Sequence, residues 1–158
     1  MTQPARFALV PIRDLHAHEQ FVEESVVELM EEIRRAGVLT DPIWVSLGSL
    51  VILNGHHRVE AMRRMGASRI PAWLLDYETD IVSLERWHPG LPIPKAEVVR
   101  RGVGGHLFPP KTTRHKVRVD LPPHPTPLAE LLPPQGGSSY PAVPRASRRR
   151  EPRASRSG

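Results

Sequence analysis

The chain has 158 residues, 25% of them charged, with a formal net charge of +5 and no cysteine. That length allows one domain with a real core. The lack of thiols excludes disulfides, thiolate metal sites and cysteine nucleophiles, and no window approaches the roughly 18 consecutive apolar residues of a membrane span. Residues 133–158 hold six arginines and one glutamate, whereas residues 1–132 carry 16 basic and 16 acidic side chains. The basic balance therefore belongs to the tail and does not mark a nucleic-acid-binding face on the body. No apolar segment follows the first residues, so no secretory signal is expected and a cytoplasmic location is the default.

Residues 7–13 read as a first strand ending near Pro11, followed by a polar loop to Gln20 that holds His16, His18 and Glu19. Ser25 and Glu28 fit a capping box, in which hydroxyl and carboxylate satisfy each other's orphan amides. Val26, Leu29, Met30 and Ile33 follow at helical spacing, Gly37 is the stop signal, and the intervening glutamates form the wet face. Residues 43–45 predict a strand, Gly48-Ser49 a hairpin turn and residues 50–53 the returning strand. A second helix runs from about Gly55 to Met65, and residues 70–75 form a strand at a sheet edge or starting near Pro71. Trp44 and Trp73 fall on strands and read as core. Residues 81–87 are strand or helix. Pro94 to Arg101 is a short helix with Gly102 after its end. Residues 102–115 are a Gly/Pro-rich loop, Val117, Val119 and Leu121 alternate as a strand would, and residues 127–132 form a last helical turn. From residue 133 the Pro, Ser, Gly and Arg composition cannot bury enough surface to offset its ordering entropy, so 133–158 is expected to be disordered.

Two short segments carry the chemistry. In the first, Leu53-Asn54-Gly55-His56-His57-Arg58 passes from a buried strand through a small-residue turn into a cationic helix start. The free N–H groups of a first helical turn, the helix dipole and an arginine fork together favour an anion such as phosphate, although there is no Walker-type glycine loop. His56 and His57 are poor candidates for a metal pair, because neighbours on a helix diverge whereas metal-binding histidines sit three or four apart. The second segment, Lys111-Thr112-Thr113-Arg114-His115, puts three donors that can be cationic and two hydroxyls behind two prolines without an acid. It is either a solvated basic loop or a clamp for a phosphate or carboxylate. Glu19, a lone loop carboxylate, reads by itself as solvated. Trp87, beside Pro89-Gly90, is a candidate pocket wall.

Together these residues resemble the ParB/sulfiredoxin-like superfamily, and within it the ParB-like free L-serine kinase branch. The resemblance spans roughly residues 7–132. It rests on Leu9-Val10-Pro11-Ile12 with the His18-Glu19 pair, on Val51 to Arg58, on the strand from Arg69 to Tyr77, and on Phe108 to His115. It implies phosphoryl transfer from ATP or ADP, with Mg²⁺ carried on the nucleotide phosphates, to the hydroxyl of free L-serine. Glu19 would be the catalytic carboxylate and Asn54 would stand where the family commonly has Asp. Gly55, His56, His57 and Arg58 would hold the nucleotide phosphates, with charge from His57 and Arg58. Trp87, Lys111, Thr112, Thr113, Arg114 and His115 would enclose serine. The asparagine at 54 can accept hydrogen bonds but cannot balance a cation's charge.

The fold expected is therefore α/β (α+β): a ParB N-terminal-like domain over residues 1–132, a small mixed sheet with packed helices, then the tail. The folded domain is not expected to bind nucleic acid, although the arginine tail could touch it non-specifically. The alternative reading is a non-enzymatic ParB-like nucleotide-binding regulator associated with CTP and DNA; it is disfavoured because residues 60–132 show no helix-turn-helix. A sulfiredoxin-like reductase is excluded by the missing cysteine.

Overall fold

A computed structural model describes residues 5–133. The disorder expected of the basic tail lies outside them, apart from Pro133. The elements in chain order are β1 (Ala5–Pro11), α1 (Glu23–Ala36), β2 (Val38–Leu39), β3 (Ile43–Ser46), β4 (Ile52–Asn54) and α2 (His56–Arg64). They continue with β5 (Arg69–Leu75), β6 (Val82–Arg86), α3 (Lys95–Gly104), β7 (Thr113–Val117) and β8 (Thr126–Pro127). The main sheet has the order β1-β5-β3-β4, with β3 parallel to β5 and the other pairs antiparallel. Two small antiparallel ribbons, β2-β8 and β6-β7, complete it. This is the small mixed sheet with packed helices that the sequence predicts.

One face of the sheet carries α1 and α2. Val26 and Ile33 of α1 and Val59, Ala61 and Met62 of α2 pack with Ile43, Val45, Ile52, Ile70 and Ala72 in one buried cluster. Full burial of a side chain such as Ile43 is worth about 1.5–3 kcal/mol. A second cluster joins Val51, Leu53 and Leu75 to Tyr77, Val82, Val98 and Phe108, so the later elements share the other side of β4 and β5. Arg64, at the end of α2, donates to both carboxylate oxygens of Glu23 at 2.7 Å each and to Glu60 at 2.8 Å. This fork ties the last turn of α2 to the first turn of α1.

Several sequence expectations are corrected. Helix α1 begins two residues before Ser25, with Val22 at its N-cap and no side-chain cap, so the expected capping box does not form. Strand β5 is interior, flanked by β1 and β3. Its Pro71 is tolerated because pairing with β3 starts only at Ala72. Gly102 lies within α3, buried where a Cβ would come 2.8 Å from Val51, and the left-handed residue that ends the helix is Gly105. The alternation at 117–121 marks only the end of a strand: β7 covers Thr113 to Val117, so part of the expected loop is pleated.

The β4-to-α2 turn depends on Gly55. Its φ of 112° is left-handed, and an added Cβ would meet Ile43 Cγ2 at 2.5 Å. Both backbone and packing exclude a side chain, so α2 starts abruptly behind β4 with no side chain capping it. Gly55→Ala should lower unfolding stability by about 2 kcal/mol or more in urea melts, since strain and overpacking add.

Candidate active site

Residues 16–20 thread as an extended segment between β4 and the chain around Phe108. On one side the His16 N–H donates to Leu50 O (2.9 Å) and the Ile52 N–H to His16 O (2.8 Å). On the other, the Gln20 N–H donates to Phe108 O and the Phe108 N–H to His18 O, each at 2.8 Å. This pairing brings Glu19 beside the late basic segment, more than ninety residues away in sequence.

The Glu19 carboxylate is engaged there through both oxygens. The Lys111 N–H donates to Oε2 (2.8 Å), and Oε1 receives the Thr113 N–H (3.0 Å) and the Thr113 hydroxyl (2.8 Å). Lys111 adopts a left-handed φ of 59°, rare for a residue with a side chain. Two amides converging on one carboxylate from such a turn form the kind of concavity that binds anions. Here it grips the protein's own carboxylate, and the Lys111 side chain is left exposed at the rim.

Helix α2 fixes the same segment from the opposite side. His56 Nε2 accepts the His18 N–H (3.3 Å) and His57 Nε2 accepts the Val22 N–H (3.0 Å). The two imidazoles thus bracket Glu19, one before it and one after it. An accepting nitrogen bears no proton, so both rings are neutral in this arrangement. Burial pushes the His56 pKa well down, and the imidazoles of His18, His115 and His57 push the same way. Burial also lowers His57, against the pull of Glu19. This corrects the expectation that His57 contributes positive charge. His115, on β7, is lowered by burial to about 3; its Nε2 lies 2.8 Å from the Tyr77 hydroxyl, while its Nδ1 is buried without a partner.

A cleft of about 530 Å³ opens over this arrangement, lined among others by Glu19, Asn54, Gly55, His56, His57, Arg58, Trp87, Lys111, Thr113, Arg114 and His115. Every singled-out site residue except Thr112 lines it; the Thr112 hydroxyl instead donates to Pro109 O within its own turn (2.7 Å). Trp87 is half-exposed, with the Arg114 guanidinium 4.7 Å over its ring. Arg58 does not stand free: it donates to the carbonyls of Asp41 (2.7 Å) and Pro42 (3.0 Å) and to Asn54 Oδ1 (2.9 Å).

Leu29, Asn54 and Arg58 also line a second cleft, of about 470 Å³, whose walls include Trp44 and Trp73. The sequence reading of both tryptophans as core is only half right. They are directly paired across β3 and β5, on the side of β3 opposite buried Ile43 and Val45, and the Trp73 Nε1 is buried without a partner. Strict alternation in residues 43–45 was the signal that could have placed Trp44 away from the core. His18 is the other functional candidate that sequence reasoning did not single out.

Residues 4–83 match the model of the ParB N-terminal domain. The chain belongs to the ParB N-terminal domain family. Among curated relatives, it is 33% identical over 87 residues to an ATP-dependent L-serine kinase of Staphylothermus marinus, covering 52% of this chain and 34% of that protein. It is 27% identical over 104 residues to the ADP-dependent L-serine kinase SerK of Thermococcus kodakarensis, covering 63% and 43%. The chain thus spans less than half the length of these relatives. A solved free serine kinase in complex with AMP superposes with a TM-score of 0.73 at 18% identity, covering 83% of this chain and 95% of that one. C-terminally truncated SbnI from Staphylococcus aureus gives 0.72 at 13% identity, covering 84% and 90%. At such identities the likeness is one of ParB-type fold.

The buried imidazoles have a consequence for stability. Their folded pKa values lie below the ordinary 6.5, so the unfolded chain binds more protons and stability rises with pH through that window. Stability should be complete above about pH 6.5 and decline towards pH 5, before carboxylates titrate. Urea melts at pH 7.5 and 5.0 check this. His57→Phe should flatten part of the slope and speed hydrogen exchange at the Val22 amide.

Proposed function

We propose that this ParB-family chain is a kinase that transfers a phosphoryl group from ATP or ADP to the hydroxyl of free L-serine, giving O-phospho-L-serine. The observation that carries the reading is the anchoring of Glu19 by Lys111 and Thr113, in a cleft that also contains the Asn54-to-Arg58 turn. A carboxylate, a helix start and a cationic rim converge in one cleft of substrate size. The names of the relatives, ATP- and ADP-dependent L-serine kinases, supply the substrate class.

In this reading the donor's phosphates lie over the uncapped start of α2, where the amides of its first turn and the helix dipole face an anion. Arg58 holds the turn through Asp41, Pro42 and Asn54 and lends its charge from behind. The nucleoside extends into the adjoining cleft lined by Trp44 and Trp73. Serine lies in the cleft beside Glu19 and the Lys111–His115 segment, with Trp87 as wall and the Lys111 and Arg114 cations facing its carboxylate. Glu19 orients the attacking hydroxyl and takes its proton, while positioning and electrostatics do most of the work, as in phosphoryl transfer generally. Among the described residues no cluster of three His, Asp or Glu side chains is placed to hold a metal, and Asn54 offers only a neutral oxygen already bonded to Arg58. In this reading Mg²⁺ is carried on the donor's phosphates.

The same family fold could also serve a nucleotide-binding regulator, a reading favoured by Asn54 at the position of the family's Asp. Among the described residues no helix is long and apolar enough to cross a membrane.

Incubation with L-serine and ATP or ADP should yield O-phosphoserine, detected by mass spectrometry. Glu19→Gln should reduce its formation by about 10²–10⁴-fold, the range typical of a lost general base. Undiminished turnover in that variant would refute the role of Glu19, whereas nucleotide binding without product would move the assignment to the regulator. Asn54→Asp keeps the contact to Arg58, adds a charge, and should raise turnover.

A further inference from the structure

His18 is fully buried and has no place in the scheme above, yet both of its ring nitrogens are engaged. Nδ1 lies 2.7 Å from Ile52 O, and Nε2 lies 2.8 Å from the Thr113 hydroxyl oxygen. That same oxygen lies 2.8 Å from Glu19 Oε1. Three close contacts therefore run in a row, from the Ile52 carbonyl through His18 and Thr113 to the carboxylate.

Counting hydrogens along this row is informative. A carbonyl oxygen only accepts, so the hydrogen of a neutral His18 sits on Nδ1 and leaves Nε2 bare. The Thr113 hydroxyl has one hydrogen, which can go to Nε2 or to Oε1 but not to both. With His18 neutral and Glu19 ionised, the row is one proton short. One added proton on Glu19 completes it: the acid donates to Thr113 Oγ1, and the hydroxyl turns to His18 Nε2.

We propose that Thr113 and His18 form a proton-accepting relay behind Glu19, which is complete only when Glu19 has taken the proton of the acceptor hydroxyl. In the transfer, the hydroxyl oxygen forms the new P–O bond. The donor's P–O bond breaks, and its electron pair leaves on the nucleotide phosphate. The hydroxyl proton passes to Glu19, and the Thr113 hydrogen swings from Glu19 to His18 Nε2. His18 stays neutral throughout, as its burial favours. Around it stand His56 from α2 at 4.7 Å between ring centroids, His115 from β7 at 5.7 Å, and His57 and the Lys111 cation at the rim; the Glu19 charge and the Ile52 carbonyl pull the His18 pKa up against burial. Thr113 and His18 act through Glu19 and are positioning residues. The kinetic half of this inference rests on the proposed kinase reading; the proton-sharing half does not.

The test compares the ¹⁵N shifts of His18 in the full chain at pH 7.5 in the wild type, Glu19→Gln, Thr113→Val and the double variant. The Glu19→Gln amide can donate to Thr113 Oγ1 as the protonated acid would, and Thr113→Val keeps the backbone N–H to residue 19 and the side-chain volume but lacks the hydroxyl. Glu19→Gln should move the Nε2 shift, with Nδ1 remaining protonated and no imidazolium signature, and the change should vanish in the double variant. An Nε2 shift unmoved by Glu19→Gln, or a change that survives in the double variant, overturns the relay. In the kinase assay Thr113→Val should lower kcat by about 10–100-fold with KM for serine little changed, and Thr113→Ser should restore it. An equal loss in Thr113→Ser contradicts the relay. If no O-phosphoserine forms in any variant, the kinase reading fails, while the nitrogen shifts still decide the proton sharing.

Discussion

The site depends on one carboxylate being held by backbone from the far end of the domain. Glu19 takes two amides and a hydroxyl from residues 111 and 113, and Phe108 zips onto the strand-like segment that carries it. Hydrogen bonds to an ionised acceptor are stronger than those between neutral groups, and Glu19 is half-buried, so losing them would leave its charge poorly paired. The late segment therefore cannot leave without stranding Glu19. Equally, Glu19 cannot shift without undoing the left-handed turn at Lys111. The shape of the cleft and the orientation of the acid are thus set by the same contacts.

The paired histidines extend this logic. Motif reasoning assigns them to an incoming phosphate, because they stand at the start of a helix. Their Nε2 atoms instead hold the backbone N–H groups of His18 and Val22. A neutral imidazole suits this role: it is an acceptor of the right length, rigid, and indifferent to the nearby cations. With Arg64 gripping Glu23 seven residues further along α2, the helix holds the segment from His18 to Glu23 at three points. In the proposed kinase the phosphate-facing part of the turn is then its backbone, shaped by Gly55, whereas the imidazole side chains are needed for the scaffold.

Much of the fold was legible from period and punctuation. The apolar spacing at Val26, Leu29, Met30 and Ile33, the stop at Gly37 and the turn at Gly55 all arise from local chemistry. What failed required knowledge of neighbours. Ser25 looked like a cap, but the chain enters α1 two residues earlier because His57 already holds the Val22 amide. Gly102 looked like a terminator but is small because Val51 packs against it. Thr113 to His115 looked like a loop because nothing in the sequence announces the partner strand Val82–Arg86. The candidate site was legible as two segments and a suspect glutamate. His18 was not, since its meaning arises only when Thr113 arrives from 95 residues away.

The match to the ParB N-terminal domain closes at residue 83, yet the clamp on Glu19 comes after it. Glu19 and the Gly55 turn lie within the matched stretch, whereas Trp87 and the lysine-bearing turn lie beyond it, on chain that reaches back to dock. In the proposed kinase, the grip on the donor and the choice of acceptor are therefore encoded in separable lengths of chain. Because the later length also packs Val98 and Phe108 against Val51, Leu53 and Leu75, any exchange that redirected the cradle to another alcohol would have to keep those apolar contacts.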